Sequence, residues 1–384
     1  MDYEQSHRRL VSGQSSGICA SLLRVLLRIA SFVYSVIVRL RNFLYSKGWL
    51  KAHRVDAAVI CVGNITVGGT GKTPLVVWLC RQIPSRCNCA ILTRGYKATQ
   101  DSKSYADEPA MLAESCSQAR IIVNPDRLAG AAEAIKSFGA EVLIMDDGFQ
   151  HRRLARDLDI IAIDATQPFG YGKMLPAGLL REPVTSLERA DAVVITRCDQ
   201  IDEDQLAELE EELRAINPDM VVAKSIHAAA SIEYFDLPVI PAKGEIQCVD
   251  EKMDSRFRGN DSVEQLKGKR IFAFCGIGNP DAFLNTIRAL GAELVGSKIY
   301  DDHYHYTDSC LGEISEQAGK LEADLILTTE KDWTKLISNF KSQISDFISS
   351  IPFACLAVEI QFLTGREELK SLIESTIASR IPGT

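Results

Sequence analysis

A lysine and a hydroxyl directly after a run of glycines can hold a chain of phosphates, and Gly68, Gly69, Thr70, Gly71, Lys72 and Thr73 supply that combination. Glycine lets backbone N–H groups close around phosphate oxygens at a helix N-terminus, whose dipole also favours anions; Lys72 then reaches the β and γ phosphates and Thr73 holds Mg²⁺. The flanks suit this chemistry. Residues 57–62 (AAVICV) read as a short buried strand, LVVWLCRQI after Pro74 reads as a helix, and proline fits a first helical turn. The sequence departs from G-x-x-x-x-G-K-[ST] at Thr66, where the first glycine would stand, and Gly68 and Gly69 offer the missing flexibility. A glycine-rich turn with a chance Gly-Lys-Thr would need neither flank.

Such a loop needs a second strand that delivers an acid towards the metal. Residues 140–145 (AEVLIM) are apolar enough for a buried parallel strand and run into Asp146, Asp147 and Gly148, so one of the two aspartates is expected on Mg²⁺, directly or through water. A plain Asp-Gly turn would not require a fully apolar strand before it. Transfer to an alcohol further needs a base for the hydroxyl proton and cations for the phosphoryl charge. Charged clusters follow strands at Arg94 to Lys97, Asp107 to Pro109, Gln150-His151-Arg152-Arg153, 172–181 and Asp301 to Tyr306, and such loops line the ligand crevice of open α/β sheets. Asp107 or a histidine is the natural base. Asp107 equally suits a helix cap two residues before Pro109, and His303 and His305 equally suit a solvated loop. Two strand ends approach the base-reading segment of GTPases, at Arg197-Cys198-Asp199 and at Thr329-Glu330-Lys331-Asp332. Neither is a clean match, and charged strand-end loops are the default reading.

These residues must be positioned by a sizeable core. The chain has 384 residues against ~150 for a typical domain, so one large or two ordinary domains are expected. Hydrophobic residues at 46% and charged residues at 24% exclude collagen, coiled-coil rods and wholesale disorder. Eleven scattered cysteines without paired zinc-site spacing read as reduced core residues in a cytosolic setting. Residues 5–55 hold nine Lys and Arg and no Asp or Glu, whereas residues 56–384 hold 34 bases against 49 acids. Arginines interrupt the apolar stretch Leu22 to Tyr45 before it reaches the ~20 residues of a membrane span. On a helical wheel Arg24, Arg28, Ser31, Ser35, Arg39, Asn42 and Ser46 share one narrow stripe, with aliphatic and aromatic residues over most of the rest. Such an amphipathic helix suits the headgroup region, its apolar face in lipid and its arginines against anionic lipids; the alternative is packing on the protein's own core.

In order along the chain, VGNITVGGTGKTP, ILTRGYK, DEP, DDGFQHRRLARDLDI, GYGKMLPAGLLREP, ADAVVITR, FCGIGNPDAF, the Asp302-His303 segment and TTEKDW resemble the tetraacyldisaccharide 4′-kinase family, the lipid A 4′-kinases. The resemblance implies an ATP- and Mg²⁺-dependent kinase of lipopolysaccharide biosynthesis. Its substrate would be a tetraacylated glucosamine disaccharide 1-phosphate, phosphorylated on the 4′-hydroxyl at the cytoplasmic face of the bacterial inner membrane. Carried over motif by motif, Gly68 to Thr73 bind the nucleotide, Lys72 and Thr73 hold the phosphates and Mg²⁺, Asp146 and Asp147 supply the metal-side acid, and Asp107 is the base in a dyad with His303. Arg94, Gln150, His151 and Arg181 are implied cleft residues without individual roles. The family's own loop lacks the same glycine. Residues 1–20 precede the family's usual start, and the stretch 245–269 is longer and more charged than its usual connection.

The expected fold class is α/β. A disordered extension (1–20) and a membrane-associated amphipathic helix (21–54) precede a P-loop NTPase-type α/β/α domain (55–225). A linker with the charged insertion (226–267) then leads to a smaller α/β domain (268–384), and domain closure is expected to assemble the dyad. The expected partners are the lipid substrate and an anionic membrane surface, with no nucleic acid and no protein partner inferred. The rival is a membrane-associated ATPase switch of the MinD/ParA type, whose additional loop lysine would fall at Val67. A non-enzymatic lipid-binding scaffold would leave Lys72, Asp146 and Asp147 without a purpose.

Overall fold

Every residue of strand β1 (Ala58–Gly63) is buried, with Val59 and Cys61 in one apolar cluster and Ile60 and Val62 in another. A strand covered by apolar packing on both faces belongs inside a parallel sheet. The computed structural model describes residues 7, 9–95, 107–234, 262–301, 304, 306–340 and 351–381. The chain forms two compact units, one of residues 1–227 with 360–384 and one of residues 228–359.

In the larger unit β1 lies between β4 (Val142–Asp146) and β5 (Leu158–Asp164), with Ala58 opposite Val142 and Ile60 opposite Leu158. Outside β4 lie β2 (Cys89–Thr93) and then β3 (Ala119–Val123); outside β5 lie β6 (Ala192–Thr196) and then the first part of β7 (Val221–Tyr234), all in parallel pairs. Helix α2 (Lys72–Gln82) packs Leu75, Val76 and Leu79 with Ile60 and Val62. On the other face, α4 (Arg127–Phe138) and α5 (Glu203–Ile216) pack Ala131, Ala134, Leu209 and Leu213 with Val59 and Cys61. Asp126 caps α4 by accepting from the N–H groups of Leu128 and Ala129, and Asp202 with Gln205 forms a capping box on α5. Helix α3 (Asp107–Ser115) precedes β3.

The smaller unit repeats the plan with β8 (Arg270–Cys275) between β9 (Glu293–Ile299) and β10 (Leu325–Thr329), and the first part of β11 (Phe353–Thr364) beside β10. Phe272 and Phe274 face one apolar cluster; Ile271, Ala273 and Cys275 face the other. Its helices are α6 (Pro280–Ala289), α7 (Asp308–Lys320) and α8 (Glu330–Phe340).

The expected boundaries need three corrections. The domain drawn over 268–384 gives up its end: β11 passes into the larger unit, where Leu369, Ile373 and Ile377 of α9 (Arg366–Arg380) pack with Leu75 and Leu79, and Arg380 donates to the carbonyl of Val55 at 2.7 Å. The linker drawn over 226–267 begins as strand, since β7 runs on to Tyr234, and residues 235–261 lie outside the described residues. The extension drawn as disordered over 1–20 has a buried Leu10 and Val11 and a hydrogen bond at 2.8 Å between His7 Nε2 and the Pro176 carbonyl.

Helix α1 (Ile18–Ser46) is amphipathic as expected, but Ser31 and Asn42 of its polar stripe face the protein, together with Tyr34 and Arg41 from outside the stripe. Ser31 donates to the Met174 carbonyl at 2.8 Å, Tyr34 to the Arg181 carbonyl at 2.9 Å, and Arg41 and Asn42 to the Glu182 carboxylate at 2.9 and 3.0 Å. A buried acid of the core, Glu182, is what Arg41 and Asn42 answer there. Arg28 and Arg39 remain exposed, and the wide apolar arc is left bare, with Phe32 71% exposed and Trp49, just beyond the helix, 74% exposed. By length and apolarity α1 can cross a membrane. The cysteines among the described residues are all free thiols, most of them buried, in keeping with the reduced-core expectation.

Candidate functional site

The site grows from the carboxyl end of β1. A side chain on Gly63 would place its Cβ 2.6 Å from Phe149 Cβ, so only glycine leaves room there for the loop after β4. The connection then turns through Gly68 (φ 122°) and Gly71 (φ 82°), conformations that side chains oppose. These two positions explain how the loop closes with Thr66 in place of a glycine. Gly71 immediately precedes α2 and has no side chain to cap it, which leaves the N–H groups of Lys72 and Thr73 at that helix start without a side-chain cap.

Lys72 opens α2 and puts its Nζ 3.3 Å from Asp147 Oδ1. Arg181 donates to both oxygens of the same carboxylate at 3.0 and 2.8 Å. Burial pushes the Asp147 carboxyl up, but Lys72 and Arg181 outweigh it and hold the group well below the usual carboxylate range. Asp147 itself turns the chain at φ 52°, just beyond β4, a left-handed position that Asp tolerates better than most residues. Asp146 ends β4 and is buried; Arg127 donates to its carbonyl at 3.0 Å and to that of Asn124 at 2.8 Å. Gln150 donates to the Asn64 carbonyl at 2.8 Å, and Asn64 donates to the Thr70 hydroxyl at 3.1 Å, tying the loop after β4 to the glycine loop. Beside them an open cleft of about 400 Å³ is lined by Pro125, Asp126, Arg127, Leu128, His151, Arg153 and Leu154. Burial, then the nearby Arg127, push the His151 imidazole below its ordinary range, and Arg94 adds to the effect.

Uncapped helix N–H groups, one lysine and one arginine suit a polyphosphate. The oxygens of Thr73 and the two aspartates suit Mg²⁺, which is held by one or two carboxylates plus substrate phosphates. No cluster of three or more His, Cys, Asp and Glu side chains that could hold a metal ion occurs among the described residues.

A family model described as tetraacyldisaccharide-1-P 4′-kinase matches residues 23–378. The chain belongs to that family. It is 32% identical over 381 residues to the tetraacyldisaccharide 4′-kinase of Halothermothrix orenii, covering 95% of both chains, and 34% identical to that of Elusimicrobium minutum, covering 83% of both. Among solved structures it is similar to LpxK from Aquifex aeolicus in complex with ATP, with 28% identity, a TM-score of 0.66, and coverage of 92% of this chain and 99% of that one.

Of the residues expected in a tetraacyldisaccharide 4′-kinase site, the fold brings together Gly68, Gly69, Thr70, Gly71, Lys72, Thr73, Asp146, Asp147, Gln150, His151 and Arg181. Arg94 follows β2 as an exposed residue whose charge is felt at Arg127 and His151. Asp107 is the first residue of α3, while its side chain and all of His303 lie outside the described residues. Of the two strand ends weighed as base readers, Asp332 is fully buried; it accepts from the Gly276 N–H, the Thr329 hydroxyl and Lys335, each at 2.8 Å. It braces the smaller unit. Arg127, Glu182, Asp164 and His227 were not expected. The signal for Arg127 is its place in Asn-Pro-Asp-Arg, where a strand end meets a helix cap; Glu182 lies within the stretch GYGKMLPAGLLREP, and Asp164 and His227 carry none.

Proposed function

We propose that this tetraacyldisaccharide 4′-kinase transfers the γ-phosphoryl group of ATP to the 4′-hydroxyl of a tetraacylated glucosamine disaccharide 1-phosphate, at a membrane surface. The observation that carries the reading is the pairing of Lys72 with Asp147 at the mouth of an uncapped phosphate loop. Gly68 to Thr73 would hold the polyphosphate, with Lys72 against the transferred group and Arg181 adding a second cation within reach of Asp147. Thr73 with Asp146 and Asp147 would hold Mg²⁺, which when bound neutralises charge on the phosphate oxygens. The sugar oxygen forms its bond to the γ-phosphorus as the bond to the leaving β-phosphate oxygen breaks. Asp107 takes the hydroxyl proton, with His303 as its partner in the family-derived dyad.

The test is transfer of labelled γ-phosphate to the tetraacyldisaccharide 1-phosphate in detergent micelles. The parent protein should label the lipid, and Asp107→Ala and His303→Ala should each lose at least ~10² of the rate, the usual weight of general-base catalysis. ATP hydrolysis with no labelled lipid would overturn the kinase reading in favour of a nucleotide switch.

The bare apolar arc of α1 supports membrane attachment through lipid contact, while Arg41 and Asn42 are engaged by Glu182. Flotation with anionic vesicles should carry the parent protein upward, and Phe32→Asp with Leu26→Asp should leave it at the bottom. Equal flotation of the two would show that α1 is not the anchor.

A further inference from the structure

Three consecutive residues of the phosphate loop are gripped by residues with no part in phosphate chemistry. Arg197 Nη2 donates to the Gly69 carbonyl at 2.8 Å, Thr196 Oγ1 donates to the Thr70 carbonyl at 3.0 Å, and a Cβ on Gly71 would fall 2.4 Å from His227 Nε2. In a trans peptide the carbonyl and the following N–H point opposite ways. Tying the carbonyl of Thr70 to the end of β6 therefore aims the Gly71 N–H away from β6, and the tie on Gly69 fixes the next plane back. A loop that binds anions through N–H groups needs its carbonyls turned away from the ligand.

Arg197 is built for holding rather than for reading a ligand. It stands in the left-handed region at φ 57°, and its other terminal nitrogen pairs with Asp164 at the end of β5; both side chains are 8% exposed. The second oxygen of Asp164 is occupied by the Thr166 hydroxyl at 2.7 Å and N–H at 3.0 Å. A buried guanidinium without a counter-charge would be strongly unfavourable, so Asp164 is what keeps Arg197 in place beneath the loop. His227 adds bulk without charge: burial, helped by Arg197, pushes its imidazole down to about 3.

We propose that Arg197, buttressed by Asp164, is a positioning residue for nucleoside triphosphate binding: it holds the Gly69 carbonyl turned away from the phosphates, beside the Thr196 tie that does the same for the Thr70 carbonyl. The strand end at which GTPases read their base serves here to set the phosphate loop.

The experiment is steady-state kinetics of the full chain, varying ATP and lipid separately, with melting measured in parallel, for Arg197→Gln, Arg197→Lys, Asp164→Asn and the Asp164→Asn/Arg197→Gln double variant. Arg197→Gln should raise the KM for ATP about tenfold or more, the weight of one charged hydrogen bond, with far smaller changes in kcat and in the KM for lipid. Lysine can reach the carbonyl or the carboxylate but not both, so Arg197→Lys should fall between parent and Gln. The double variant should be no worse than the worse single one, because both break the same unit. Variants that melt lower but keep the parental KM for ATP would overturn the proposal and leave Arg197 as a brace between β5 and β6. If Arg197→Gln fails to fold, Arg197→Lys decides alone: a raised KM for ATP supports the proposal and a parental one overturns it.

Discussion

Asp147→Asn will lower lipid phosphorylation by about 10²–10³-fold, the loss seen when one preorganised electrostatic contact is taken from an active site, and will leave the melting temperature nearly unchanged. Asparagine has almost the same shape and is among the few residues that accept the left-handed backbone at this position, φ 52°, so the substitution removes the charge and little else. That charge is what both cations of the site answer: Lys72 at 3.3 Å and Arg181 through two hydrogen bonds. Without it the two like charges repel, and Lys72 loses the contact that fixes its head group at the mouth of the loop. Stability should change little, because the Asp147 side chain is 35% exposed and exposed pairs are worth only about 0–1 kcal/mol. Asp147→Ala should lose the same activity and some stability besides, since alanine resists the left-handed region. The carboxyl lies well below its ordinary range, so the parent rate should show no ionisation of Asp147 above pH 5. Retention of activity within tenfold in Asp147→Asn would move the metal-side role to Asp146, and a Mg²⁺ titration of the two variants would display the exchange.

What was legible in the sequence divides along chain distance. The phosphate loop could be read because strand, glycines, lysine and helix are contiguous, and each forces the next: β1 is apolar on both faces, so it is central, and a central strand ends at the ligand crevice. Asp146 and Asp147 were legible for the same reason, at the end of a fully buried β4. The grips on the loop were not, because Arg197 meets Gly69 across 128 positions and Thr196 meets Thr70 across 126, and no local pattern announces such pairs. Helix α1 shows the intermediate case. Its period was visible, but a helical wheel gives faces without partners, and the partner of Arg41 and Asn42 is Glu182, 141 positions from Arg41. The end of the chain misled for a related reason: α9 follows the smaller unit in sequence, yet its apolar residues complete the cover over α2 in the larger one.

Glu182→Ala should lower the unfolding free energy of the larger unit by about 3 kcal/mol, the lower end of what breaking a buried ion pair costs. The carboxylate is fully buried and accepts from Arg41 at 2.9 Å, Asn42 at 3.0 Å and Arg189 at 2.7 Å. Truncation strands three donors at once. The loss stays near the lower end because Arg41 is 37% exposed and can recover water, whereas Arg189 remains pinned over the Phe149 ring at 3.9 Å. Its distribution is the more telling result. Two of the three donors belong to α1, so the C-terminal half of that helix should loosen first, seen as faster tryptic cleavage at Arg39 and Arg41. Activity should fall with it, because Tyr34 of the same helix donates to the carbonyl of Arg181, whose guanidinium holds Asp147. Glu182→Gln keeps an acceptor and the shape of the side chain, and should lie between parent and Ala in both readouts. Parental melting with a protease-resistant α1 would mean that Val38 and the apolar seam hold the helix by themselves; it would also cut the physical link from α1 through Glu182 and Arg181 to the phosphate loop.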